Sequence, residues 1–206
     1  MTDCFALLGE PRRPAPDLDS LKTKFLALSA EVHPDRLHNA PEPERVAATS
    51  RYAALNVAHG TLRDAKDRLA HLLELELGSK PSGIDAVPAE WMEGFMEVGQ
   101  LCRSIDAFLA ESATVTSPLL KVQRFQQGME WTDRVNEKVR QLNARLEELT
   151  RGLSGWNDAW TKAPAVGDPN RPAALPLNEL AAAFRGVSFL SRWIGQLRER
   201  AVRLAG

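Results

Sequence analysis

The stretch Leu18-Asp-Ser-Leu21-Lys-Thr-Lys-Phe25-Leu-Ala-Leu28-Ser-Ala-Glu-Val32-His33-Pro34-Asp35 decides the fold. Leu18, Leu21, Phe25, Leu28 and Val32 recur at steps of 3, 4, 3 and 4, the spacing of one helical face. Phe25 and Leu28 are expected in the core beneath it. Pro34 pushes the residue before it out of the helical region, so the helix must end near His33 in a sharp, exposed turn. From His33 to Pro43 the chain holds three prolines and an Asn, which can continue neither this helix nor the next. A second periodic run follows, with Val46, Ser50, Ala54, Val57, Ala58, Thr61 and Leu62. Its small residues allow two helix backbones to approach closely, so the two runs form a hairpin.

Working outward, Ala65 to Leu77 carries Leu69, Leu72 and Leu73 toward the same core, and Gly78-Ser-Lys-Pro-Ser-Gly83 then breaks the pattern. Trp91, Phe95, Val98, Cys102, Ile105 and Leu109 make the next stripe. Ser117-Pro118 reads as a cap followed by proline at the first helical position. It opens a long helix with Val135, Val139, Leu142, Leu146 and Leu149, closed by Gly152. A last helix runs from about Leu177 to Leu204. Nothing alternates at period two, so the chain is expected to be all-α. The expected domains are a helical hairpin with short flanking helices at 1–77, a linker at 78–88, and a three-helix bundle at 89–206. The bundle is interrupted at 152–176 by a Pro/Gly-rich loop with Trp156 and Trp160 inside it, folding partly back.

The net charge of −1 offers no footprint for a nucleic-acid backbone. Arg185, Arg192, Arg198, Arg200 and Arg203 cluster near the C-terminus against Glu199 alone, and read as a solvated helix face. No apolar run is long enough to span a bilayer, and no secretory signal layout is visible, so no membrane partner and a cytoplasmic location are expected. Cys4 and Cys102 are too far apart for a metal knuckle and read as reduced, buried thiols.

An apolar helix ending in His33-Pro34-Asp35, a loop and a second helix together resemble the J-domain (DnaJ-like) co-chaperone family. Phe5-Ala-Leu-Leu8-Gly9 looks like its opening helix, and Leu55-Asn-Val-Ala-His59-Gly-Thr-Leu62-Arg63-Asp64 with Arg68 is similar to its third-helix signature. The match is nearest to the HscB type of iron–sulfur cluster assembly, in which a three-helix C-terminal domain follows the J-domain. The resemblance implies that His33, Pro34 and Asp35 trigger ATP hydrolysis in a DnaK- or HscA-type heat-shock chaperone. Lys22, Lys24 and Arg36 are the remaining basic contacts. Physically, the proline stiffens the turn, so the imidazole and carboxylate are presented at low entropic cost. Asp35 can accept from a partner's Arg or Lys. Residues 1–80 carry 11 Lys and Arg against 12 Asp and Glu, so long-range steering toward that partner should be feeble.

The resemblance further implies that Trp91, Met92, Phe95 and Phe189 bind the cluster scaffold protein as client. The acidic residues that flank this patch in the family are largely missing, with Met96, Gly99 and Arg103 in their vicinity. A J-domain interaction protein serving another client is therefore the alternative. An enzyme is not expected, because His33 and Asp35 sit on a hairpin tip without an accompanying nucleophile or pocket. Nor is a cofactor or a metal, since His33, Asp35 and His38 do not converge.

Overall fold

The computed structural model describes residues 2–37, 40–81 and 87–205. Its elements are α1 (Cys4–Leu7), α2 (Leu18–Glu31), α3 (Glu42–Arg63), α4 (Ala65–Leu77), α5 (Ala89–Ala113), α6 (Pro118–Gly152), α7 (Asn157–Lys162) and α8 (Leu177–Ala205), with 3-10 turns at Pro34–Leu37, Leu153–Trp156 and Pro172–Ala174. The protein is all-α, and no strand occurs among the described residues. The expected linker at 78–88 falls partly on residues 82–86, outside the described residues.

The chain divides into two compact units, Met1–Ser82 with Thr150–Phe184 and Gly83–Leu149 with Arg185–Gly206. In the first, short acidic side chains start the helices. The Asp3 carboxylate accepts from the amides of Phe5 and Ala6, that of Asp17 from Asp19 and Ser20, and that of Asp64 from Asp67, each satisfying amides that have no partner inside their helix. Gly78 closes α4 at φ +72, a left-handed conformation that glycine adopts without strain. Helix α3 is central, touching α1, α2, α4 and the 3-10 turn after α2.

The hairpin face is partly shifted from its expected position. Leu21, Leu55, Ala58 and Leu62 are buried, as are Leu69, Leu72 and Leu73 on α4, but Phe25 and Leu28 are only partly covered. Val46, Ser50 and Val57 face solvent, and Ala48 and Leu55 take the contact instead. Phe25 is stacked on the His59 ring at 4.2 Å between centroids, at the edge of the hairpin rather than inside it.

Segment 150–184 groups with the N-terminal helices, whereas the sequence reading assigned it to a C-terminal domain of 89–206. Polar contacts over long sequence separations hold it there. Arg171 grips the buried Glu76 carboxylate on α4 through Nε and a terminal nitrogen, at 2.8 and 3.0 Å. Asn157 exchanges two hydrogen bonds with the backbone of Ala15, its amide donating at 2.8 Å and its oxygen accepting at 3.1 Å. Leu153, Trp160, Leu175 and Leu180 are buried.

In the second unit α5, α6 and the later part of α8 pack around Val98, Cys102, Ile105, Val135, Leu142, Leu190, Trp193, Ile194 and Leu197. The helix boundaries at Pro118 and Gly152 and the heptad positions Val135 and Leu142 lie where the periodicity puts them.

Candidate chaperone and client surfaces

Helix α2 ends at Glu31, and Val32 leaves helical geometry at φ −110, ψ 15 before the 3-10 turn. This turn is held from three directions. The His33 ring stands edge-on to Tyr52 of α3, with centroids 5.3 Å apart and planes at 83°. His33 Nδ1 accepts the backbone N–H of Asp35 at 3.3 Å. Arg36 donates to the carbonyl of Ala30 at 3.0 Å, closing the C-terminal end of α2 with a cation where the helix dipole favours one. Because Nδ1 accepts, the neutral imidazole must carry its proton on Nε2, which makes that nitrogen a donor. The Asp35 side chain is 90% exposed, with its Oδ2 3.6 Å from His33 Nδ1.

The basic residues expected to join this surface divide into two kinds. Lys22 is exposed. Lys24 donates to the buried Glu10 carboxylate at 2.8 Å and to the Gly9 carbonyl at 3.1 Å, so its charge ties α2 to the chain after α1. Arg36 likewise serves the turn itself. Tyr52 was not singled out from the sequence, since nothing in the periodicity of α3 shows that this residue meets the turn. His38 lies outside the described residues.

On α5, Met92, Phe95 and Met96 are 43%, 44% and 56% exposed and form an apolar ridge. Phe189 does not join them. It is 2% exposed, inside the bundle, with its ring 5.9 Å from Trp193 and 6.3 Å from Trp91, which corrects its expected place on the client surface. The reason is the position of α8 behind α5, where a large aromatic ring is worth more as core. Trp91 is partly buried against the same two rings, with the Arg145 guanidinium 5.7 Å above its face. Two glycines make the room: a Cβ on Gly186 would lie 2.6 Å from Trp91, and one on Gly94 3.0 Å from Trp193.

Among the described residues no group of three His, Cys, Asp or Glu side chains could hold a metal ion, and no helix is long and apolar enough to cross a membrane. Both cysteines are free and buried, and burial pushes their thiols up, away from the reactive thiolate.

No family model matches the chain. A helical hairpin with a His-Pro-Asp turn at its tip, followed in sequence by a helical bundle, is the arrangement that the J-domain resemblance implies. Two solved structures that resemble this chain are HscB co-chaperones. The chaperone HscB from Vibrio cholerae is 20% identical with a TM-score of 0.56, and the match covers 96% of each chain. The human co-chaperone protein HscB is 16% identical with a TM-score of 0.62, covering 98% of this chain and 81% of that one. At these identities the likeness establishes the HscB-type fold.

Proposed function

We propose that this chain is a J-domain co-chaperone of iron–sulfur cluster assembly, working in the cytoplasm. The His33-Pro34-Asp35 turn stimulates the ATPase of a DnaK- or HscA-type chaperone, and the α5 ridge delivers a cluster scaffold protein to it. The observation that carries this reading is the turn. His33 is braced by Tyr52 and by the Asp35 amide, so its ring is positioned before any partner arrives, with the exposed Asp35 carboxylate beside it. A ring already positioned on an exposed tip loses little conformational entropy on docking. The protein thus acts as an activator, and the hydrolysis it triggers is the partner's chemistry.

His33→Gln tests this. The imidazole contributes one ring contact and one 3.3 Å hydrogen bond at a surface turn, so helicity and melting temperature should stay nearly unchanged while stimulated ATP turnover by the host's chaperone is lost. Normal stimulation by the variant, or none by the wild type, would defeat the reading. A second reading, in which the C-terminal bundle serves a different client, draws on the buried Phe189 and on Met96, Gly99 and Arg103 along α5. Calorimetry with the host's own iron–sulfur scaffold separates the two.

A further inference from the structure

The five arginines near the C-terminus have a neighbour that the sequence does not reveal. Helices α5 and α8 lie side by side in the same direction, since Trp91 meets Phe189, Trp193 fills the space over Gly94, and Arg200 and Arg203 reach Asp106 at 2.7 and 3.4 Å. Trp193 at the level of Gly94 places exposed Arg192 about level with Glu93, between Met92 and Phe95 along the axis. Along α5, Met92, Met96, Gly99 and Arg103 succeed one another at steps of 4, 3 and 4 on the outward face. Arg103 donates to the neutral side chain of Gln100 at 2.9 Å. Among the described residues neither Arg103 nor Arg192 has a carboxylate within ion-pair distance, and Asp106 is shared by Arg200 and Arg203. The opposite flank of α5, toward α6, is acidic: Glu90 and Glu93 are exposed and Glu97 bridges to Lys138. The methionine and phenylalanine ridge therefore has Arg192 on its α8 side, Arg103 at its C-terminal end and an acidic flank on its α6 side.

We propose that this face takes a protein partner whose apolar contact is bordered by carboxylates, which meet Arg103 and Arg192 and fix the orientation in which the partner docks. The inference rests on the client reading above and specifies the charge of the client's surface. A nucleic acid is a poor occupant, because its phosphates would also meet Glu90 and Glu93 and gain nothing from Met92 or Met96. A carboxylate-bordered apolar patch is matched on both counts. Rim charges of this kind act mainly on orientation, association rate and salt dependence.

The test uses the full chain and the host's own iron–sulfur scaffold, free of metal, as the probe. Arg103→Glu/Arg192→Glu should weaken binding about tenfold at low salt, with the deficit shrinking as salt rises toward about 0.5 M. Arg103→Gln/Arg192→Gln should lose about half as much on a logarithmic scale, and guards against a charge reversal that disturbs the fold. Met92→Ser should weaken binding by a factor that salt does not change. Unchanged or tighter binding by the arginine variants, with Met92→Ser still weakened, would overturn the charge assignment and leave the scaffold as client. No binding by the wild type would remove the scaffold reading and this inference together.

Discussion

Arg171→Met isolates the contact that brings segment 150–184 onto the N-terminal helices. The Glu76 side chain is 2% exposed, and Arg171 donates to each of its oxygens, at 2.8 and 3.0 Å, while a further Arg171 nitrogen donates to the Pro164 carbonyl. Methionine keeps much of the length and all of the apolar stem but leaves a carboxylate in the interior. Arg12 is then the nearest cation, at 3.7 Å. Removing one partner of a buried pair costs about 3–5 kcal/mol, and the residual attraction of Arg12 places this case near 3 kcal/mol. That is a change of roughly a hundredfold in the folding equilibrium, or a drop of about 1–2 M in the urea midpoint for an ordinary slope. Adding Glu76→Leu should recover most of the loss, since an apolar pair of similar volume often replaces a buried ion pair without penalty. Urea titrations followed by circular dichroism of wild type, single and double variants decide it. A single variant that loses less than about 1 kcal/mol, or a double variant no better than the single, would refute the reasoning.

Two further outcomes follow from the first unit. Phe25→Ala should cost about 1–2 kcal/mol, short of the roughly 2–5 kcal/mol of a fully buried aromatic, because the ring, stacked on His59, is only partly buried; a denaturant titration showing total unfolding would place the ring deeper than it lies. His71 is set low, chiefly by burial, with Arg12 adding to the effect and Asp3 and Glu74 opposing it, and its Nε2 accepts the Cys4 amide at 3.1 Å. A folded pKa below the unfolded value of about 6.5 means that the unfolded chain takes up the proton first. Stability is then complete above about pH 6.5 and falls as the pH drops through the folded value. Melting temperatures between pH 7 and 5 should decline less steeply in His71→Gln.

The helices were legible in the sequence because their limits are local events. Pro34 forces an end, Ser117-Pro118 a beginning, Gly78 an exit. Val135 and Leu142 occupy their buried positions because one long helix repeats its face. What was not legible depends on partners distant in the chain. Phe189 and Phe95 are both large aromatic residues at helical spacing, and only the position of α8 behind α5 makes one core and the other surface. Glu76 and Arg171 look like ordinary surface charges until 95 residues of chain bring them together. The turn itself was read correctly in place, but the tyrosine that braces His33 belongs to another helix. Lys24, read as a free basic contact, is committed to Glu10 for the same reason.

The division of labour on α5 has a consequence for how such a protein can change its client. Val98, Cys102 and Ile105 anchor the helix from one side, while Met92, Phe95 and Met96 stand outside that packed cluster, about half exposed. An apolar ridge carried by one helix can be rewritten in three or four codons without disturbing the packing that supports it. The His33-Pro34-Asp35 turn, the proposed trigger of ATP hydrolysis, is carried by other helices and would be inherited intact. A lineage could therefore move such a protein from one client to another by point substitutions alone, without passing through an unfolded or unresponsive ancestor.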